Sequence, residues 1–330
     1  MNHFSRLLSY YSSYGLKGPN KLNKAQLLKI STGQGFIAAL DQSGGSTPKA
    51  LKLYGVEESE YDNSADMYDL IHEMRTRIIK SNAFSSGRIL GAILFENTIQ
   101  KKIDKIPSAI YLWEKLKVVP FLKVDKGLLS IDNQVQLLKP IDDLEASLIL
   151  AKENKVFGTK MRSVINGANK TGIKDIVDQQ FDIASEILSY GLVPIIEPEV
   201  AITIPDKKEA EDLLYDSLRS GLDRIGTNKQ VILKLSLPDQ DNLYEPLTKH
   251  PNILRIVALS GGFKKNEAVD RLIRNKKIIA SFSRALAEGL KRNDPKEEFE
   301  KQLEQTVQSI YEASPVSYTH LRAHETPMYL

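Results

Sequence analysis

Four short apolar runs of the chain each end on a charged residue, and the four charged residues are evenly spaced. They are Lys123, Lys160, Glu197 and Lys234, and successive members lie 37 positions apart. That spacing fits a strand, a helix and two connecting loops. Burial of a charged group costs several kcal/mol unless the group is paired. The pattern therefore predicts that the four side chains meet in one polar cluster at one end of a parallel barrel.

Eight short runs rich in apolar and β-branched residues are typical of strands, and helical patterns separate most of them. The predicted strands are Gly35–Gln42, Ile89–Glu96, Val119–Lys126, Val156–Ser163, Leu192–Val200, Gln230–Leu237, Ile253–Gly262 and Ile278–Leu286. Eight such units in about 250 residues indicate a (β/α)8 TIM barrel, with a doubly wound open sheet as the alternative. The barrel is favoured because polar residues stand at the carboxyl ends of nearly all the runs, where barrel active sites are built.

Amphipathic spacing predicts the helices between these strands. The predicted helices are Ala65–Lys80, Ile141–Lys152, Ile173–Tyr190, Glu209–Leu222, Asn266–Lys276 and Asp294–Ala313. Between the sixth and seventh strands, only a brief segment around residues 243–247 could form a helix.

Composition narrows the classes of partner for this chain of 330 residues, 42% of them hydrophobic. It has no apolar run near the roughly 20 residues that span a bilayer, and no cysteine for disulfides or thiolate chemistry. The first 40 residues hold five basic and no acidic side chains, so the net charge of +3 leaves −2 for the rest. The body therefore lacks the basic excess that recruits nucleic acid. We expect small-molecule partners, no nucleic acid and no membrane, and a homo-oligomer is compatible with the sequence.

The two ends of the chain differ from its body. Residues 1–24 are rich in serine and tyrosine and contain no acid, which is typical of a disordered or targeting-like extension. Residues 315–330 show neither helical nor strand periodicity, so an unstructured, non-native tail is expected there. The single predicted domain spans residues 25–314. A cytoplasmic location is expected, with organellar targeting by residues 1–24 left open.

Lys234 is the candidate nucleophile. An amine attacks a ketone only in its neutral form, which burial and a neighbouring cation both favour. Lys234 lies in the apolar run Val231–Leu235, and Lys160 on an earlier strand is a candidate for the cation. A salt-bridged structural lysine is the alternative, but three lysines and a glutamate at matching strand positions favour a reactive cluster.

Carboxylates accompany these lysines. Side chains alternate along a strand, so Glu197 and Glu199 are expected on one face, where they could relay protons. Asp41 follows an apolar run and precedes a glycine-rich turn, and its carboxylate could orient a lysine or a substrate hydroxyl. A structural ion-pair network explains the same residues.

The last two predicted strands end in a pattern suited to a phosphate. Ser260, Gly261 and Gly262 end the seventh strand, and Ser283 and Arg284 end the eighth. Loops at these positions commonly bind phosphate in barrels. Glycines allow the backbone to approach an anion, and arginine adds charge-assisted hydrogen bonds.

Histidine gives no support for a metal centre. The body contains only His72, within a predicted helix, and His250, beside a proline turn. Zinc and iron sites usually combine several histidine, cysteine or carboxylate ligands. The sequence predicts neither a metal nor a cofactor.

Seven segments, in order along residues 25–314, resemble the class I (Schiff-base) fructose-bisphosphate aldolases in their shorter bacterial-type form. The segments are Phe36–Ser46, Phe121–Gly127, Gly158–Arg162, Val193–Glu199, Leu233–Lys234, Leu259–Gly262 and Ser281–Leu286. The resemblance implies a metal-independent glycolytic lyase. It would cleave fructose 1,6-bisphosphate reversibly to dihydroxyacetone phosphate and glyceraldehyde 3-phosphate.

The same resemblance implies roles for individual residues. Lys234 would form the imine, Glu197 would act as general acid and base, and Asp41 and Lys160 would assist the carbinolamine and carbon–carbon steps. The ketone-side phosphate would be held by Ser260, Gly261 and Arg284, with Gly262 and Ser283 beside them. Ser46 and Lys123 would lie near the other phosphate, and Arg162 joins them as a substrate-binding candidate.

Two alternatives to this function stay open. A transaldolase or another Schiff-base sugar-phosphate aldolase would keep Lys234 but act on a different substrate. A non-catalytic sugar-phosphate binding or scaffold protein would keep the phosphate loops without a reactive lysine, and three strand-end lysines argue against it.

Overall fold

A computed structural model describes residues 23–314 of the chain. Asn23 caps the first helix, accepting hydrogen bonds from the backbone of Ala25 and Gln26. The expectations of an N-terminal extension over residues 1–24 and a tail over residues 315–330 fall almost wholly outside the described residues.

Eight parallel strands form the centre of the fold. They are β1 Phe36–Leu40, β2 Ile89–Leu94, β3 Val119–Lys123, β4 Gly158–Ile165, β5 Val193–Val200, β6 Val231–Ser236, β7 Ile253–Leu259 and β8 Ile278–Ala280. Each pairs with the next one in the chain. The Ala39 amide on β1 donates to the Phe282 carbonyl just after β8, at 3.2 Å, which closes the circle. The predicted (β/α)8 TIM barrel is confirmed.

Helices separate and surround the strands. They are α1 Lys24–Thr32, α2 Thr47–Tyr54, α3 Ser64–Ile79, α4 Asn82–Ser85, α5 Glu96–Gln100, α6 Ser108–Leu116, α7 Leu144–Glu153, α8 Lys170–Ser189, α9 Lys207–Arg224, α10 Lys265–Ile273, α11 Arg284–Ala287 and α12 Lys296–Glu312. Short 3-10 turns occupy Glu58–Glu60 and Glu245–Lys249. Minor strands are Lys102–Ile103, Ile106–Pro107 and Val135–Gln136. Within residues 23–314, no helix has the length and apolar character needed to cross a membrane.

The structure corrects several boundaries that the sequence predicted. The eighth strand ends at Ala280 rather than Leu286, because Ser283 adopts a helical backbone conformation and α11 begins at Arg284. The brief segment between the sixth and seventh strands is a 3-10 turn over Glu245–Lys249. Helices α1, α2 and α6, of eight or nine residues each, were not predicted, and neither were the shorter helices α4, α5 and α11.

Helix α1 lies at the amino-terminal end of the barrel. Its Ile30 is fully buried and packs with the apolar residues of the barrel interior. The guanidinium of Arg255, near the start of β7, donates to the carbonyl oxygens of Ser31 and Gly33 at 2.8 and 3.2 Å. This end of the barrel is therefore filled by a helix and an arginine.

The strands divide the core into an inner and an outer layer. Alternate strand residues face the helices, and the residues between them face inward. The inner cluster includes Ile37, Ala39, Val119, Phe121, Val193, Ile195, Ile232, Val257 and Ile279. On five strands the next inward position is charged, and those residues are Asp41, Lys123, Lys160, Glu197 and Lys234. The interior is thus apolar at the amino-terminal end and ionic at the carboxyl end.

Gly158, the first residue of β4, lies where β4 is packed closely against β3 and β5. A Cβ at this position would lie 2.0 Å from the carbonyl oxygen of Val193 and 3.1 Å from the ring of Phe121. We expect Gly158→Ala to lower the free energy of unfolding by about 1–3 kcal/mol or more, because a backbone atom must move. Gly44→Ala is the control, since its nearest neighbour would be Tyr68 Oη at 3.7 Å. Equal urea-unfolding midpoints for the two variants would contradict the prediction.

Candidate active site

A cavity of about 830 Å³ opens at the carboxyl end of the barrel. All thirteen side chains or glycines singled out from the sequence line it. They are Asp41, Ser46, Lys123, Lys160, Arg162, Glu197, Glu199, Lys234, Ser260, Gly261, Gly262, Ser283 and Arg284. The structure therefore brings the lysine cluster, the carboxylates and the glycine-rich loops to one space.

A chain of ion pairs runs through the inner part of the cavity. Lys234 Nζ lies 3.0 Å from Glu197 Oε1, and Lys160 Nζ lies 3.0 Å from Glu197 Oε2. Lys160 Nζ also lies 2.5 Å from Asp41 Oδ2. The four side chains are at most 9% exposed. Each charge is thus compensated by its neighbours where water contributes little.

Strand pairing explains how these residues meet. Lys123 is paired directly with Lys160 across β3 and β4. Across β4 and β5, Arg162 is the partner of Glu197, and Lys160 lies opposite Ile195. Lys160 therefore sits two residues below Glu197 rather than level with it, a stagger that the strand tilt of a barrel requires. Its long side chain spans that offset.

Neighbouring opposite charges decide the protonation states of the ion-paired side chains. Burial raises the pKa of the Asp41 and Glu197 carboxyls, but the ammonium groups of Lys160 and Lys234 outweigh it and hold both pKa values below their usual range. Burial lowers the pKa of Lys160, whereas Asp41 and Glu197 raise it well above its ordinary value. Near neutral pH, Asp41 and Glu197 are carboxylates and Lys160 is an ammonium.

Lys123 belongs to a separate pair. Its Nζ donates to Asp125 Oδ1 at 2.6 Å and to the Asp125 carbonyl oxygen at 2.9 Å. The other carboxylate oxygen of Asp125 accepts a hydrogen bond from the Arg162 amide at 3.2 Å. Burial lowers the pKa of Lys123, and Asp125 partly offsets this effect. Asp125 was not a predicted site residue, although it stands two positions after Lys123 in the run Phe121–Gly127.

The two carboxylates on β5 have different partners. Glu197 contacts the two lysines, whereas Glu199 Oε2 accepts a hydrogen bond from Arg162 Nε at 2.5 Å. Burial lowers the pKa of Arg162, but Glu199 more than reverses this and raises it. Glu199 therefore orients a guanidinium and does not contact the amine of Lys234.

The outer part of the cavity is formed by the loops after β7 and β8. Gly261 and Gly262 have φ angles of 59° and 121°, in the region that favours glycine. A Cβ on Gly262 would lie 3.4 Å from a terminal nitrogen of Arg284, so this guanidinium lies beside the glycine turn. Ser283 Oγ accepts a hydrogen bond from Gln42 Nε2 at 2.8 Å.

Ser46 lines the cavity from the turn after β1. Its hydroxyl bonds to the backbone of Ser43 at 3.2 Å, and the side chain is exposed. Ser46 and the Arg284 loop thus belong to different segments of the cavity wall.

Within residues 23–314, no group of three or more histidine, cysteine or carboxylate side chains is arranged to hold a metal ion. His72 lies on α3 beside the Lys102 carbonyl, and His250 lies 3.1 Å from Asp223.

Comparison with known proteins agrees with the fold. A family model described as fructose-bisphosphate aldolase class-I matches residues 22–208, more than half of the chain. The chain is also similar to the solved fructose-bisphosphate aldolase from Plasmodium falciparum in complex with TRAP and a small-molecule inhibitor. The identity is 20%, the TM-score is 0.69, and the alignment covers 90% of this chain and 96% of that one. A structural-genomics target from Corynebacterium glutamicum has 12% identity and a TM-score of 0.53, over 88% of this chain and 92% of that one.

A closed (β/α)8 barrel with paired lysines and carboxylates at the carboxyl ends of its strands has the architecture of a barrel enzyme. The chain belongs to the class I fructose-bisphosphate aldolase family. The matched range contains β1 to β5 and ends before Lys234, so the role of that residue depends on the geometry of the site.

The ion-pair chain predicts a pH dependence of stability. Asp41 and Glu197 have lowered folded pKa values, so their contribution is complete above their unfolded values of 3.8 and 4.5 and is lost as the pH falls toward the folded values. The raised pKa of Lys160 gives a contribution that is complete below 10.5 and is lost at higher pH. We expect Lys160→Met to lower the free energy of unfolding at pH 7 by about 3–5 kcal/mol, because two carboxylates lose their partner.

Urea unfolding between about pH 3 and pH 7 checks this expectation, and the difference from the wild type should shrink toward the acid end. Lys80→Met is the matched control, because the exposed pair between Lys80 and Asp104, at 2.7 Å, should contribute about 0–1 kcal/mol. Parallel pH profiles for the wild type and Lys160→Met would contradict the assigned protonation states.

Proposed function

We propose that the protein is a class I fructose-bisphosphate aldolase. It would cleave fructose 1,6-bisphosphate reversibly to dihydroxyacetone phosphate and glyceraldehyde 3-phosphate through a Schiff base on Lys234. The observation that carries the proposal is the contact between Lys234 Nζ and Glu197 Oε1, at 3.0 Å within a buried ionic cluster. A nucleophilic amine and a proton acceptor are thereby in hydrogen-bond range.

The first step is proton removal from Lys234. The lowered pKa of Glu197 leaves it as a carboxylate that can accept this proton. Lys160 keeps its own proton because Asp41 and Glu197 raise its pKa, so it stays a fixed cation beside the nucleophile. The free amine then adds to the ketone carbon, and the carbonyl oxygen becomes the carbinolamine hydroxyl.

The same carboxylate can return the proton. Glu197, once protonated, gives its proton to the carbinolamine hydroxyl, water leaves, and a protonated imine remains on Lys234. A carboxylate of the cluster accepts the C4 hydroxyl proton, and the electron pair of the C3–C4 bond moves into the imine as the aldehyde is released. Asp41 is a candidate for this proton acceptor, and its contact with Lys160 Nζ at 2.5 Å fixes the position of its carboxylate. Protonation of the enamine and hydrolysis then free the second product.

Two groups of polar residues suit the two phosphates. Ser260, Gly261, Gly262, Ser283 and Arg284 form one wall and would bind the ketone-side phosphate. The other phosphate would lie near the residues of the β1, β3 and β4 ends, which are Ser46, Lys123 and Arg162.

Lys123 is already bonded to Asp125. Its contribution is therefore a fixed charge rather than a mobile side chain.

Reductive trapping tests the nucleophile. Borohydride added with dihydroxyacetone phosphate should reduce the imine to a stable secondary amine, inactivate the protein and label Lys234, as read by peptide mass spectrometry. Lys234→Met is the control, and none of its remaining lysines should be labelled. Labelling elsewhere would overturn the assignment, and trapping by a different sugar phosphate alone would indicate a transaldolase or another Schiff-base aldolase. Absence of trapping would favour a non-catalytic binding protein.

Two substitutions separate chemistry from phosphate binding. Glu197→Gln is nearly isosteric and removes the proton carrier, so kcat should fall by about 10²–10⁴-fold while affinity for the hexose bisphosphate stays near that of the wild type. Arg284→Ala removes a charge-assisted bond, so KM should rise by about 10- to 150-fold. Some loss of kcat should follow, because phosphate binding helps to orient the reacting carbon.

Calorimetry of substrate binding and steady-state kinetics make this comparison. Arg274→Ala, at an exposed arginine paired with Asp241 outside the cavity, is the control and should change neither constant. Weak binding by Glu197→Gln together with normal binding by Arg284→Ala would show that the division into a proton carrier and a phosphate site is wrong.

A further inference from the structure

Arg75 is a buried arginine behind the candidate active site. It lies on α3, is 0% exposed, and is the largest fully buried side chain among the described residues. No carboxylate of residues 23–314 forms an ion pair with it, so its charge is compensated only by hydrogen bonds and distant groups. Burial lowers its pKa to about 10, and the charge of Asp41 opposes that shift. An unpaired buried charge is costly, so its location needs a specific reason.

The guanidinium of Arg75 holds the segment that follows β1. One terminal nitrogen donates to the Gln42 carbonyl oxygen at 2.6 Å and to Gln42 Oε1 at 3.1 Å. The other terminal nitrogen donates to Thr98 Oγ1 at 2.5 Å. Gln42 directly follows Asp41, the carboxylate that contacts Lys160. Arg75 therefore fixes both the backbone and the side chain of the residue next to the ion-pair chain.

Gln42 in turn bonds to the neighbouring loop after β8. Its Nε2 donates to Ser283 Oγ at 2.8 Å, and Ser283 directly precedes Arg284. The bond joins the turn after β1 to the loop after β8, so the carboxylate end and the phosphate wall of the cavity are tied together through one amide side chain.

The direction of each hydrogen bond follows from the donor capacity of arginine. A guanidinium only donates, so the oxygen of the Gln42 amide must face Arg75 and the nitrogen must face Ser283. Ser283 Oγ then acts as acceptor toward Gln42, and its own hydrogen is left to donate elsewhere. Ser283 lines the cavity beside Arg284, where an anion would accept that hydrogen. Bonds aligned in one direction also polarise one another.

We propose that Arg75 and Gln42 are positioning residues that orient the Ser283 hydroxyl as a hydrogen-bond donor to the ketone-side phosphate of the substrate. The inference rests on the proposed function, because it assumes that a phosphorylated ketose occupies this wall. Arg75 touches no substrate and acts through Gln42, and Gln42 acts through Ser283.

A double-mutant cycle between Gln42 and Ser283 tests the coupling. We expect Gln42→Ala to raise KM for the hexose bisphosphate by about 3- to 10-fold, with a smaller effect on kcat, because the Arg75 bond to the Gln42 carbonyl is retained. In the Ser283→Ala background the same change should have almost no further effect. Multiplicative effects of the two substitutions would overturn the proposal.

The substitution Gln42→Glu separates an effect on the orientation of the Ser283 hydroxyl from an effect on the stability of the protein. Gln42→Glu gives Arg75 a carboxylate partner, so the melting temperature should be kept or raised. It removes the Nε2 donor, so the Ser283 hydroxyl should turn toward the new carboxylate and KM should rise by about 10-fold or more. An unchanged KM would contradict the proposal, as would a KM rise explained fully by a fall in melting temperature.

Arg75→Lys keeps the charge but cannot bond to both Gln42 and Thr98 in the same way. It should lower the melting temperature and also raise KM. Arg255→Lys is the matched control, because that buried arginine also donates to backbone carbonyls but at the opposite end of the barrel. The control should lower the melting temperature without changing KM. The same KM in both variants would mean that Arg75 has only a structural role.

Reductive trapping distinguishes failure of this inference from failure of the proposed function. For Gln42→Ala, half-maximal trapping should need about 3- to 10-fold more dihydroxyacetone phosphate than for the wild type, whereas trapping with unphosphorylated dihydroxyacetone should be unchanged. If the wild type is not trapped by either compound, the proposed function fails. If the wild type is trapped but the variant needs the same concentration of dihydroxyacetone phosphate, only the positioning role fails.

Discussion

The ion-pair chain from Lys234 through Glu197 and Lys160 to Asp41 is the interaction on which the carboxyl end of the barrel depends. None of these charges is stable alone at its depth, since removal of one partner from a buried pair typically costs about 3–5 kcal/mol. The four residues come from β6, β5, β4 and the end of β1. These ion pairs therefore require the strands to be closed into a circle in their native register, and the site is complete only in the closed barrel.

Much of this arrangement could be predicted because a strand places alternate residues on one side. Ile195 and Ile232 face the inside of the barrel, so Glu197 and Lys234, two positions further along, must face the inside as well. The even spacing of the four charged residues repeats this relation on successive strands. Local sequence therefore predicted the barrel and the meeting of Lys160, Glu197 and Lys234, whereas Lys123 pairs with Asp125 and Asp41 completes the ion pairs instead. The two-residue stagger of Lys160 against Glu197 depends on strand tilt and could not be read from spacing.

Two of the residues that could not be predicted as part of the site, Arg75 and Gln42, bond to partners far away in the sequence. Arg75 is one charged residue on an amphipathic helix, and nothing local shows that its side chain turns inward to Gln42, 33 positions earlier. The bond from Gln42 to Ser283 spans 241 positions and exists only because β1 and β8 are neighbours in the closed barrel. Asp125 was closer to prediction, but its pairing with Lys123 required the backbone path after β3.

The inner cavity is balanced in charge, and the outer wall is not. Lys234, Lys160, Lys123 and Arg162 each contact a carboxylate, and the four carboxylates are Asp41, Glu197, Asp125 and Glu199. Arg284 forms no ion pair with any residue of 23–314 and is exposed to solvent. A phosphate would thus gain most from the outer wall, where the charge of Arg284 is uncompensated, and the charge-balanced interior would suit an uncharged carbonyl group. For the proposed substrate, this charge distribution would favour a phosphorylated ketone with its phosphate at the Arg284 wall and its carbonyl carbon toward Lys234. The proposed proton acceptor, Glu197, already contacts Lys234 Nζ at 3.0 Å, so the first proton transfer would need no rearrangement of side chains.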